Sequence, residues 1–174
     1  MTIKRMLMVA TAVTIIFVQE QLLLIAPNVQ LTVLLIILFS SIFNLKESIT
    51  MIFVYVFLDS MYMGTMDLFY MVPMMIGWSI IPVVHHTLLR NTNNEYILAV
   101  FALSFGFMYG WVFIPFRMFQ FGISEVWPYF IADLPFEIIM AVVGFGTVLL
   151  AFKPLKRVLD QVIEQETYET IKIK

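Results

Sequence analysis

Asp133 and Glu137 stand four residues apart in an otherwise apolar stretch, so on a helix both carboxylates project from one face. Carboxylates inside a hydrophobic helix are costly, roughly 2.5 to 3.5 kcal/mol each on insertion scales, and usually face a partner or a water-filled site. Upstream lies Arg117, set among Trp111, Phe113, Phe116, Phe119 and Phe121. A guanidinium presents a planar fork of donors to carboxylates and stacks on aromatic faces. One cation, two carboxylates and a run of aromatic rings make a chemistry of binding. Bond-breaking chemistry has no comparable signal: the chain holds no GxSxG, HExxH or P-loop pattern, so no catalytic residues and no enzymatic activity are expected.

The composition states what kind of scaffold must hold these groups. Of 174 residues, 61% are hydrophobic and 13% charged, and the mean hydropathy is +0.95. A water-soluble domain averages about a quarter charged residues and could not hide that much apolar surface. An all-α integral membrane protein is the expected class. The absence of cysteine excludes disulfides, thiol catalysis and Cys-ligated metals, and the two adjacent histidines lack metal-ligand spacing. No metal, no cofactor and no nucleic acid is expected, and the lipid bilayer is the surrounding phase.

Apolar runs and breakers predict six transmembrane helices, over about 4–25, 30–43, 48–63, 68–89, 96–113 and 134–152. The first follows Lys4 and Arg5, but it runs on without a small-residue cleavage pattern and reads as a span that is retained. It carries Ala10 and Thr14 at small-xxx-small spacing, as the fifth carries Gly106 and Gly110, which favours close helix approach. The second, at 14 residues, is short for a span and reads as tilted into protein or partly interfacial. Ser48 is the expected cap of the third, and Pro73 and Pro82 predict kinks in the fourth. Pro115 and Arg117 are expected at the exit of the fifth. Lys153, Lys156 and Arg157 stop the sixth span, with Pro154 discouraging its regular continuation, so residues 1–157 form the membrane domain and 158–174 a charged, partly amphipathic cytoplasmic tail that reads as an interfacial or frayed helix. Six spans put both termini on one side. With that side cytoplasmic, nine of the ten Lys and Arg residues fall inside and only Arg117 outside.

In that orientation the outer helix ends share one polar set: Glu20, Asn28, Gln30, Asp59, Tyr62, Asp67, Arg117, Gln120, Trp127, Tyr129, Asp133 and Glu137. Each has a plainer reading beside the functional one. Asp133 suits the N-cap of a helix whose early residue is Pro135, whereas Glu137, one turn deeper, is less well explained by capping. Arg117 fits a snorkelling interfacial residue or a salt-bridge partner of either carboxylate. Trp111, Trp127 and Tyr129 fit an aromatic belt, and His85 and His86 an interfacial placement.

The segment ADLPFEIIMAVVGFGTVLLAFKPLKRVL, residues 132–159, resembles the last helix of the substrate-binding S components of energy-coupling factor transporters, with its acidic-Pro-Phe start and its basic, Pro-containing stop. Length, helix count and predicted topology agree with that family across nearly the whole chain. The resemblance implies a vitamin-binding receptor of the bacterial cell membrane whose partners are a transmembrane coupling subunit and two ATPases. Ala10 and Thr14 stand where the family presents AxxxA to the coupling subunit, and the Thr is a departure. By the same resemblance the substrate-binding residues lie on the outer side, which marks Arg117, Glu137, Asp133, Trp111, Trp127, Tyr129, Gln120, Asp67, Tyr62 and Asn28. A second resemblance, carried by LIAPNVQLTVLLIILFS (24–40) and FLDSMYMGTMDLFYMVPMMIGW (57–78), is to the MreD family of rod-shape membrane proteins. It implies a scaffold in cell-wall synthesis whose polar set is structural.

Overall fold

The computed structural model describes residues 2–25, 29–90, 92–122 and 124–172, with side chains described through Gln165. The described chain forms six helices: α1 (Ile3–Leu22), α2 (Thr32–Ser40), α3 (Leu45–Met63), α4 (Leu68–Thr87), α5 (Glu95–Phe121) and α6 (Val126–Lys172). The all-α expectation and the number of helices hold, but the expectation of six spans does not. Three helices, α4, α5 and α6 as far as Gln165, are long and apolar enough to cross a membrane. The others differ for visible reasons. Charged side chains sit within α1 (Lys4, Arg5, Glu20) and α3 (Lys46, Glu47, Asp59), and the nine residues of α2 span only about 14 Å.

The short helix α2 is the centre of the molecule and not an interfacial element. All nine of its residues are buried, and it packs against each of the other five helices. Among the described residues these five form an open ring, α1 beside α3, α3 beside α4, α4 beside α5 and α5 beside α6, with a cleft between α1 and the far part of α6. The reason lies in composition: TVLLIILFS is apolar on every side, and a helix apolar all round has no face to turn outward. Its N-terminus is held by Gln19, whose Oε1 accepts from Leu31 N (2.9 Å) and whose Nε2 donates to Thr32 Oγ1 (2.7 Å). Gln19 thus supplies a cap that Leu31 itself lacks the side chain to make.

The rest of the polar cluster on α1 works the same way. Glu20 Oε2 accepts from the Tyr55 hydroxyl, and Gln21 Nε2 donates to Asp59 Oδ1 (3.3 Å), so three successive residues of α1 tie it to α2 and α3. At the opposite end Arg5 Nε donates to Glu47 Oε1 (2.8 Å), and its Nη2 reaches both Glu47 Oε2 and Ile42 O. Lys153 pairs with Glu95 there as well (2.6 Å). Lys4, Arg5, Lys46, Arg90 and Lys153 therefore share one end of the bundle, and Arg117 lies at the other.

Several local expectations need correction. Asn44, not Ser48, caps α3: its side chain accepts from Glu47 N while Glu47 Oε2 accepts from Asn44 N, both at 3.0 Å, a complete capping box. Asn44→Ala is expected to destabilise the fold by about 1 kcal/mol, read as a lowered thermal midpoint. Pro115 lies inside α5, and Pro135 and Pro154 inside α6, so neither helix stops where a proline falls. Neighbouring helices compensate the missing N–H in apolar bundles. Past Pro154, Leu159 packs on the core, which carries α6 beyond the expected stop at residue 157.

Candidate functional site

The seam between α5 and α6 sets the site, and glycine decides how close the two helices come. A Cβ on Gly106 would overlap the Ala141 backbone, and one on Gly144 would lie 3.4 Å from Ala102 O. One turn from Gly106 toward the Arg117 end, the absent side chain of Gly110 leaves room for two carboxylates. A Cβ there would overlap Glu137 Oε1 and lie 2.7 Å from Asp133 Oδ2. The spacing of Gly106 and Gly110 was the sequence signal for this approach.

Above the seam is a cavity of about 220 Å3, walled by Tyr70 of α4, by Tyr109, Phe113 and Arg117 of α5, and by Tyr129, Asp133, Phe136, Glu137 and Met140 of α6. Its aromatic wall is a ladder, Tyr109 to Phe113 at 5.2 Å between ring centres and Phe113 to Tyr70 at 5.8 Å, backed by Trp78 at 4.6 Å from Tyr109. Arg117 is not left to find its own position. Its Nη1 donates to Gln120 Oε1 (2.9 Å), Gln120 Nε2 donates to Asp67 Oδ2 (2.9 Å), and Asp67 Oδ1 caps α4 through Phe69 N (3.2 Å). The guanidinium also lies 5.5 Å from the Tyr70 ring centre and 5.8 Å from that of Phe121.

Opposite it, Glu137 is 3% exposed. Its Oε2 accepts from Trp111 Nε1 (3.2 Å), and its Oε1 is buried without a hydrogen-bond partner. Among the described residues Arg117 makes no ion pair with Asp133 or Glu137, although all three line the same cavity. The arrangement can grip a small molecule at two points, a carboxylate or similar acceptor at Arg117 and a donor at Glu137 Oε1, with a ring stacked on the aromatic wall.

Arg117, Tyr129, Asp133 and Glu137 thus converge as the sequence suggested, with Gln120 and Asp67 positioning the arginine. Asp133 does not cap its helix, because α6 begins at Val126, two turns earlier, and the capping expectation is corrected. Arg117 is within α5 and not at its exit. Trp111 contacts Glu137 from outside the cavity and is about half exposed. Trp127 is 73% exposed against Phe130, and Tyr62 packs edge-on against Phe17 at 5.6 Å, so neither lines the cavity. Asn28 lies outside the described residues. The residues missed were Tyr70, Tyr109, Phe113, Phe136 and Met140. The signal was present for α5 and α6: positions 106, 109, 110, 113 and 117, and 129, 133, 136, 137 and 140, each follow the three-and-four spacing of one helix face. Among the described residues no three His, Asp or Glu side chains gather as a metal site. No family model matches the chain, and none of the curated proteins or solved structures compared with it does.

Proposed function

We propose that the protein is a membrane-embedded receptor for a small, partly aromatic or carboxylate-bearing vitamin: the S component of an energy-coupling factor importer in a bacterial cell membrane. The observation that carries it is the unmatched pair of charges in one cavity, Arg117 held away from Asp133 and Glu137, with Glu137 Oε1 buried and unpartnered. A purely structural cluster of these groups would close on itself as salt bridges, because an unsatisfied buried carboxylate oxygen is costly. A ligand between them satisfies both. The many large apolar side chains exposed around the helices, Phe53, Ile76, Val100, Val142 and Leu150 among them, favour a bilayer-embedded multi-pass bundle, because a protein facing water rarely presents so much. The cluster of basic residues opposite Arg117 favours cytoplasmic termini and an outward cavity.

Energy for release would come from partners, a transmembrane coupling subunit and two ATPases, since the chain has no nucleotide-binding pattern of its own. For their docking, Ala10 and Thr14 are both exposed on α1, with the Thr14 hydroxyl turned back to Ala10 O (2.9 Å), which leaves a smooth strip of small side chains. Ala10→Leu with Thr14→Leu is expected to abolish uptake in cells while leaving ligand affinity within about twofold; uptake at the normal rate would exclude this strip as the docking surface. The direct test of the receptor is mass spectrometry of small molecules that co-purify with the protein. A stoichiometric metabolite supports it. Cell-wall synthesis proteins in place of a metabolite would overturn it in favour of a scaffold of the MreD kind.

A further inference from the structure

A second polar cavity, of about 570 Å3, lies at the opposite end of the bundle where α2, α3 and α4 terminate or begin. It is lined by Arg5, Ser40, Ser41, Asn44, His85, His86 and Arg90, with Ile42 and Phe43. Among the described residues no carboxylate lines it. Ser40 is 2% exposed and His85 7%, yet Ser40 Oγ and His85 Nδ1 both lack a hydrogen-bond partner. Two orphaned polar atoms in one cavity wall call for a ligand, because buried hydroxyls and imidazoles are otherwise paired.

Carbonyls at and just past the C-terminal end of α2 would repel an anion here, but several are engaged. Arg5 Nη2 donates to Ile42 O (3.2 Å), and the Ser41 hydroxyl donates to Leu38 O (2.6 Å). His86 contacts Pro82 O through Nδ1 (2.8 Å) and Phe43 O through Nε2 (3.0 Å). Glu47 is engaged by Arg5 and by the backbone N–H of Asn44. Arg90 is exposed and makes no ion pair among the described residues. What faces the cavity is the Arg90 guanidinium and two buried polar groups without partners.

We propose that this cavity binds a phosphate group, with the Arg90 guanidinium as its principal charge partner and Ser40 Oγ and His85 Nδ1 as buried donors. The donor set fits a tetrahedral oxyanion, and the volume leaves room for what carries it, either a free phosphate compound or the headgroup of an anionic lipid. The proposal is independent of the cavity at Arg117.

The test uses the full-length protein in neutral detergent, stripped of lipid, with inorganic phosphate titrated at constant ionic strength. Beside it, native mass spectrometry follows protein taken from nanodiscs of phosphatidylcholine with or without phosphatidylglycerol. Saturable stabilisation by phosphate assigns a soluble ligand, and selective retention of phosphatidylglycerol assigns a lipid. Either response should weaken at least tenfold in Arg90→Gln and in Ser40→Ala. Ser40→Ala also guards against a folding artefact, since removing an unpartnered hydroxyl should leave the thermal midpoint without phosphate unchanged or raised. Absence of both responses, or equal responses in wild type and both variants, would overturn the site.

Discussion

Arg117→Ala is expected to weaken binding of the co-purifying metabolite by about 10- to 100-fold, and Glu137→Ala by a similar factor. The magnitude follows from losing a hydrogen bond to a charged group, worth about 1.5 to 3 kcal/mol when the site is dry. Each residue is held in place by neighbours that survive the change: Asp67 and Gln120 keep their bond beside Arg117, and Trp111 stands beside Glu137. Stability should move the other way from affinity. In the empty protein Glu137 Oε1 is buried without a partner, so Glu137→Gln, which removes the charge but keeps the shape, should unfold at the same or a higher temperature. Affinity lost while the thermal midpoint holds is the signature of a binding residue. A structural residue would lose both, and unchanged affinity in both alanine variants would remove the cavity from the site assignment.

The second large effect concerns the α5–α6 seam, where two glycines a turn apart should fail in different ways. Gly106→Val places a branched side chain against the Ala141 backbone, which belongs to a helix and cannot yield locally. The helices must separate, and a cost of about 3 kcal/mol or more is expected, enough to deplete folded protein in a size-exclusion assay. Gly110→Ala meets only the tips of the Glu137 and Asp133 side chains, which can rotate. It should fold, with a midpoint near that of wild type, but push both carboxylates from their positions and lower ligand affinity about tenfold. Wild-type stability in Gly106→Val would mean that the helices do not approach as closely as the seam requires.

Much of the candidate site was legible before any coordinates. Asp133 and Glu137 share a face because four residues make about one helical turn, and Gly106 and Gly110 advertise close approach by the same spacing. The aromatic wall was less visible, because Tyr70 comes from α4 and no local pattern reports which face of α4 meets α5. Trp127 and Tyr62 were drawn in by type and position along the chain, and the structure turns them elsewhere. The helix ends were misjudged at the prolines, since Pro115 and Pro154 lie inside continuous helices, and a helix in apolar surroundings tolerates proline better than an isolated one.

Composition and periodicity by themselves determined the helical class, the apolar character and the separation of Lys4, Arg5, Lys46, Arg90 and Lys153 from Arg117, because these depend on residue counts and on spacings along the chain. Only the tertiary structure decided that α2 is the buried axis of the bundle, that Gln19, Glu20 and Gln21 are three separate ties, and that Arg117 faces the carboxylates without pairing with them. Those facts are set by contacts between residues far apart in the chain, and an arginine anchored through Gln120 to Asp67 on another helix is placed by packing that no single helix encodes.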